Sequence, residues 1–163
     1  MKSVLSALFL LSLLLCSCEK PKDYYISFYN DSNMELLVGH GPLYPTDSLG
    51  GIRGIKSLDL GTLRIPPLSS VVMRRVAVEK RGSWYIDFYN SQINYSGYIS
   101  FYIGDAAVFE KNDENTLVDN YMLLARYDIK QEDIENLDWK ISYPPTGEMQ
   151  GIHMWLTPGT VNN

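Results

Sequence analysis

Short runs in which apolar and polar residues alternate recur along most of the chain and predict β-strands. The clearest run is 98–103, where Ile99, Phe101 and Ile103 share one face and two tyrosines and a serine share the other. Residues 84–90 fit either a strand or one helical turn, because aromatic residues favour strands but Trp84 and Phe88 stand four residues apart. The remaining predicted strands are 24–29, 34–38, 71–78, 121–129 and 139–143, with a weak one near 57–63.

The segments between these runs predict turns and one helix. The Asn-Asp-Ser-Asn sequence at 30–33 is typical of a tight turn, so 24–29 and 34–38 are predicted to pair as a hairpin. Residues 39–68 contain many glycines and prolines and predict a long connection, and 111–116 predict a polar loop. Residues 131–137 predict a short helix with Ile134 and Leu137 facing inward.

Many short strands separated by turn signals predict a mainly β fold. We expect an antiparallel β-sandwich, immunoglobulin-like or similar, over residues 24–145, with one or two short helices. Residues 146–163 form a C-terminal extension that is either flexible or an edge strand. Twelve tyrosines and an aromatic content of 12% agree with this fold, because rings pack well on a pleated sheet.

The N-terminal segment has the pattern of an export signal. Lys2 precedes the apolar run 4–15, which is too short for a transmembrane helix of about 20 residues. The run ends in Leu15-Cys16-Ser17-Cys18, which resembles the lipobox of bacterial lipoproteins. This resemblance implies that residues 1–17 are a signal peptide, that Cys18 carries the lipid, and that 18–23 are a tether. Alternatives are modification at Cys16, an ordinary signal peptide, and a short membrane anchor.

Cysteine content and charge limit the possible chemistry. Cleavage before Cys18 would leave a mature chain whose one cysteine carries lipid, so no disulfide and no thiolate ligand would remain. The formal net charge is −5 and the pI is near 5.0, which makes nucleic acid a poor partner. A negatively charged protein is not attracted to anionic lipid headgroups, so we expect the acyl chains to attach it to the membrane.

A second resemblance covers much of the predicted mature chain. Its motifs are Arg-Tyr-Asp-Ile at 126–129, Glu-Asp-Ile at 132–134, Leu-Asp-Trp-Lys-Ile-Ser-Tyr-Pro at 137–144, and the earlier segments 26–32 and 44–47. Together they are similar to small lipoproteins of Bacteroides-type bacteria, a group with no assigned activity. The resemblance implies an outer-membrane lipoprotein with a β-rich fold, on either the periplasmic or the surface face, and it implies no mechanism.

The candidate chemical groups do not combine into a recognisable active site. His40, in the sequence Gly-His-Gly-Pro, is predicted to lie in a solvated loop, and His153 in the tail. No G-x-S-x-G motif occurs, and no spacing singles out a pair of carboxylates. The oxygen-rich segments 31–35 and 112–115 lack the remaining ligands of a calcium loop and are read as turns. We expect no metal and no cofactor.

Three function classes follow from these patterns. We predict a non-enzymatic, lipid-anchored envelope protein with a binding or structural accessory role, whose partner is a glycan or another envelope protein. The first alternative is a glycan-binding lipoprotein with tyrosine or tryptophan stacking platforms. Under the leading reading Tyr127, Trp139 and Tyr143 belong to the core, with the Tyr127 hydroxyl bonded to the backbone. The second alternative, a small hydrolase, would need a cleft that gathers His40, a serine and a carboxylate.

Overall fold

Ten strands and four short helices make up the part of the chain that the computed structural model describes, which is residues 22–41, 48–57, 62–78, 83–88 and 91–156. The strands are β1 (Lys22–Asn30), β2 (Leu36–Gly41), β3 (Leu63–Ile65), β4 (Ser69–Val78), β5 (Ser83–Phe88), β6 (Ser91–Ser96), β7 (Tyr98–Asp105), β8 (Ala125–Lys130), β9 (Lys140–Tyr143) and β10 (His153–Leu156). The helices are α1 (Ser48–Ser57), α2 (Ala106–Lys111), α3 (Glu114–Asp119) and α4 (Gln131–Asn136).

The strands form two five-stranded sheets. Sheet 1 has the order β6-β5-β4-β1-β9 and sheet 2 has the order β10-β8-β7-β2-β3. All strand pairs are antiparallel except β1 with β9. The predicted mainly β, sandwich-type fold is therefore confirmed. The expectation of one or two short helices was too low, because the described residues contain four α-helices.

The main core lies between the sheets, and alternation within each strand decides which side chains enter it. Ile26 and Phe28 of β1 and Phe101 and Ile103 of β7 are fully buried in this core. A second apolar cluster covers the other face of sheet 2, where Ile52 and Ile55 of α1 and residues of α2 and α3 pack on Tyr102. Sheet 2 is thus packed on both faces.

The predicted hairpin between 24–29 and 34–38 is wrong. β1 belongs to sheet 1 and β2 to sheet 2, so the turn after Asn30 connects the two sheets. The buried Asn30 amide nitrogen donates to the carbonyl oxygens of Met34 at 2.7 Å, Ile65 at 3.1 Å and Pro66 at 2.9 Å. The Asn30 side chain thus links the connection between β1 and β2 to the end of β3. Both strands bury one face in the same core, so their sequence patterns look alike whether they pair or lie opposite each other.

Several other segments differ from the sequence-based expectation. The strand predicted at 121–129 begins only at Ala125, as β8 (Ala125–Lys130). The connection 39–68 contains helix α1, and its predicted strand at 57–63 is instead β3 (Leu63–Ile65). The predicted polar loop at 111–116 covers the end of α2 and the start of α3, whose N-caps are Asp105 and Asp113. The ambiguous segment 84–90 is strand β5 over Ser83–Phe88.

The C-terminal corner follows the sequence pattern closely. Helix α4 buries Ile134, and Leu137 is buried just after it. Trp139 is only 9% exposed and its ring stacks on that of Tyr24, with centroids 4.2 Å apart. Strand β9 runs parallel to β1 and buries Ile141 and Tyr143. Residues 146–156 continue with a 3-10 turn at Gly147–Met149 and then β10, which lies at one edge of sheet 2.

Candidate functional site

A buried polar cluster lies on the helix-covered side of sheet 2. Ser100 of β7 and Asp128 of β8 are Cα partners in adjacent strands, so their side chains meet on one face. The Ser100 hydroxyl donates to Asp128 Oδ1 at 2.6 Å, and Arg126 Nε donates to the same oxygen at 2.8 Å. The alternate side chains of these strands, including Phe101 and Tyr127, point into the core between the sheets. The cluster therefore fixes the register of β7 and β8.

The cluster reaches the surface through β10. His153 is the Cα partner of Asp128, and its Nδ1 lies 3.0 Å from Asp128 Oδ2. Its imidazole is half exposed and meets the Trp155 ring edge-on, with centroids 5.7 Å apart. Because both carboxylate oxygens of Asp128 accept hydrogen bonds, this buried charge is satisfied by Ser100, Arg126 and His153.

The order of contacts in the cluster differs from that of a hydrolytic triad. In a triad the histidine stands between the serine and the carboxylate and takes the serine proton. Here Asp128 stands in the middle, with Ser100 on one oxygen and His153 on the other. Ser100 is buried, and its hydroxyl donates a hydrogen bond directly to the carboxylate. This geometry attaches β10 to the sheet and provides no activated nucleophile.

His40 does not lie in a solvated loop, and that expectation was wrong. The alternation of Leu36 and Val38 continues through Gly39, so His40 is the last inward-facing residue of β2. It is only 2% exposed, and its ring centroid lies 6.3 Å from that of Phe101. Burial lowers the pKa of His40 to about 4, so the imidazole is neutral at pH 7. It faces the core, on the side of the sheet opposite to Ser100.

Polar groups in the oxygen-rich segments 31–35 and 112–115 form hydrogen bonds within a turn and a helix cap. The Asp113 carboxylate caps α3 by accepting from the Thr116 backbone N–H at 2.9 Å, and hydrogen bonds from Thr116 lower the pKa of Asp113. Asn30 Oδ1 accepts from the Ser32 backbone N–H at 3.0 Å, an Asx-type turn. Within the described ranges, no three His, Cys, Asp or Glu side chains are grouped so that they could hold a metal ion.

The predicted core aromatics are buried. Tyr127 and Tyr143 are fully buried and Trp139 nearly so, which confirms their structural placement. The expected hydrogen bond from the Tyr127 hydroxyl to the backbone is not made: among the described residues this buried oxygen has no partner. Burial, followed by the nearby Tyr143, raises the pKa of Tyr127.

Two aromatic residues are instead prominent at the surface. Tyr25 on β1 is 58% exposed, and Trp155 on β10 is 56% exposed. Sequence analysis named neither of them as a site. The alternation of β1 gives a signal for Tyr25, since Ile26 and Phe28 occupy the inward face.

The lipidation candidate Cys18 and the alternative Cys16 lie outside the described residues. In the portion of the chain that is described, no helix is long and apolar enough to cross a bilayer. No protein-family model, curated protein or solved structure matches this chain.

Proposed function

We propose that the protein is a lipid-anchored β-sandwich of the bacterial outer membrane that acts without catalysis, as a binding or structural accessory module. The observation that carries this proposal is the lipobox-like sequence Leu15-Cys16-Ser17-Cys18 placed directly before the folded domain. Strand β1 begins at Lys22, four residues after Cys18. A fully extended chain of that length spans roughly 14 Å, so a lipid on Cys18 would hold the sandwich close to the bilayer surface.

Two features of the described residues support a role without catalysis. His40 is neutral and buried in the core, and His153 faces a carboxylate that already bonds Ser100. His153 Nδ1 contacts the Asp128 carboxylate, whereas a general base contacts the hydroxyl or thiol that it activates. The small-hydrolase alternative required a cleft containing His40, a serine and a carboxylate, and the described residues bring no such set together.

Lipid labelling of cysteine variants tests the anchor. We expect wild-type protein and Cys16→Ala to incorporate radiolabelled palmitate and to fractionate with the outer membrane. Cys18→Ala should remain an unlabelled precursor, because the thioether bond needs the thiol. Cys16→Ala is the matched control, since it removes the neighbouring thiol from the same motif. Label retained on Cys18→Ala, or lost from Cys16→Ala instead, would contradict the assignment.

Glycan binding is the second candidate, and the exposure of Tyr25 favours it. A sugar-binding surface needs aromatic rings that water can reach, flanked by groups that form hydrogen bonds. Trp139 and Tyr143 are buried and do not meet this condition. Tyr25 meets the requirement for exposure, because more than half of its surface is accessible to water.

A further inference from the structure

Strand β1 connects the proposed lipid anchor to the outward side of sheet 1. It begins at Lys22, four residues after Cys18, and Tyr25 is its fourth residue. Seven residues of fully extended chain span about 24 Å, so Tyr25 lies within that distance of the lipid. Ile26 is buried in the core, and alternation along β1 turns Tyr25 to the outward side. Among the side chains that the structure describes, Tyr25 is the first exposed one after the anchor.

Two large apolar side chains stand in water on this outward side. Tyr25 is 58% exposed, and Val72 of β4 is 62% exposed. Val72 is the Cα partner of Ser27, which lies two residues after Tyr25 and on the same face. Tyr25 and Val72 are therefore diagonal neighbours on adjacent strands. We name these three residues, Tyr25, Ser27 and Val72, the Tyr25 patch.

The two sides of the sandwich differ in what covers them. Helix α1 packs on β2 and β7, α2 packs on β7, and α4 packs on β8, all of which belong to sheet 2. The exposure of Tyr25 and Val72 shows that no described element covers the Tyr25 patch. The open side of the sandwich is thus the side of the sheet that contains β1, the strand nearest to the anchor.

Basic residues accompany the Tyr25 patch. The register places Arg75 of β4 opposite Tyr25, although the Arg75 side chain lies outside the described residues. Lys140 of β9 is the Cα partner of Ser27, and its ammonium pairs with the exposed Asp138 carboxylate at 2.7 Å. Tyrosine together with Lys or Arg is the set of side chains that anchors membrane proteins at the lipid–water interface. The residue types at this site therefore suit the headgroup region of a bilayer.

The tether makes a weak lipid contact sufficient. One tyrosine and one valine offer too little apolar area to hold a protein on a bilayer from solution, because interfacial binding scales with the apolar area buried. A lipid on Cys18 would keep the Tyr25 patch beside the bilayer at an effective concentration on the order of millimolar. The contact then decides which side of the sandwich faces the lipid, and the acyl chains decide whether the protein is bound.

We propose that the Tyr25 patch rests on the headgroup region of the membrane that holds the anchor, with the Tyr25 ring at the lipid–water interface and Val72 beside it. This inference rests on the proposed lipid anchor and deepens it by naming the surface of the domain that meets the lipid. The helices on sheet 2 then face away from the membrane.

Fluorescence quenching of the lipidated protein in vesicles tests this orientation. The proposed mature chain holds no free thiol, because Cys18 is its one cysteine and carries the lipid, so Ser27→Cys adds a single site for a fluorescent label. The vesicles consist of phosphatidylcholine, with or without a nitroxide on the headgroup. This lipid has no net charge, so attraction of Arg75 to anionic lipid does not contribute.

The label should respond to its place on the sandwich. At position 27 it should lose at least about half of its emission to the nitroxide lipid, because an interfacial residue lies at the level of the headgroups. The same label on Lys111→Cys, an exposed residue of α2 on the side of sheet 2, should keep most of its emission. Tyr25→Ser combined with Ser27→Cys should weaken the quenching. Trp155→Ser in the same background is the matched control, since it removes an exposed aromatic residue of sheet 2, and it should leave the quenching unchanged.

A second labelling site keeps the test independent of one variant. Val72→Cys replaces an exposed residue of the same patch and should be quenched as position 27 is. The labelled proteins should share the urea unfolding midpoint of wild type, because Val72 and Lys111 are exposed and Ser27 points outward.

The outcomes separate failure of the docking from failure of the anchor. Equal quenching at positions 27 and 111, in protein that floats with the vesicles, would overturn the docking alone and leave Tyr25 available to the glycan of the second candidate function. Quenching that Tyr25→Ser does not weaken would overturn the role of the Tyr25 patch, and so would a dimer in sedimentation that Tyr25→Ser dissociates. Labelling of the parent protein at Cys18 itself, without flotation, would reject the anchor and with it the docking.

Discussion

The pH dependence of stability should reveal the buried imidazole of His40. Burial lowers its pKa from 6.5 to about 4. Between these values the unfolded chain holds a proton on this ring and the folded protein does not. The contribution of the neutral imidazole to the free energy of unfolding is therefore fully present above about pH 6.5, and it falls as the pH decreases toward 4. One pKa unit corresponds to ~1.36 kcal/mol, so the loss should be about 3 kcal/mol. That is a large part of a typical total of about 5–15 kcal/mol.

Urea unfolding of His40→Leu beside wild type isolates this effect, because other titrating groups are common to both proteins. From pH 7.5 to pH 4, wild type should lose about 3 kcal/mol more free energy of unfolding than His40→Leu does. Val38→Ala is the matched control, since Val38 lies on the same strand and faces the same core. Its difference from wild type should stay constant with pH. A differential loss below about 1 kcal/mol for His40→Leu would refute the inference that the folded core excludes the charged imidazole.

Two further variants test packing and charge. Trp139→Ala should lower the free energy of unfolding in urea by about 3–5 kcal/mol, because a nearly buried indole stacked on Tyr24 is lost and a cavity remains. A decrease of less than about 1 kcal/mol would contradict the place of Trp139 in the core. Asp128→Ala should cost about 3–5 kcal/mol, because the buried Arg126 guanidinium would lose its carboxylate. Asp138→Asn, which removes an exposed charge and keeps a residue type that tolerates the positive φ of this position, should leave the unfolding midpoint nearly unchanged. An equal effect of the two variants would contradict the importance of the buried pair.

The sequence predicted which residues face the core more reliably than it predicted which strands pair. β7 and β9 were recognised because their alternating residues meet one core, and Trp139, Ile141 and Tyr143 are buried as expected. The false hairpin between β1 and β2 arose because alternation specifies faces and leaves the partner strand open. Helix α1 was missed because glycine has low helix propensity, whereas packing of Ile52 and Ile55 on sheet 2 stabilises the helix.

The polar cluster could not be found by motif because its members come from three strands. Ser100, Asp128 and His153 are far apart in the chain, and only the register of β7, β8 and β10 brings them together. Alternation separates Ser100 from the apolar face of β7, but nothing in the alternation indicates that helices cover the other side of the sheet. His40 is different: its place in the Leu36, Val38, His40 alternation was visible, but the flanking glycines suggested a loop.

The N-terminus of the protein recovered from bacterial membranes tests the central claim most directly. Mass spectrometry of the intact protein and of its N-terminal peptide reports both the cleavage site and the modification. The lipid-anchor proposal predicts a chain that begins at Cys18 and carries a diacylglycerol thioether with an acylated amine. A mature chain that begins at another residue, or one that begins at Cys18 with an unmodified thiol, would contradict it.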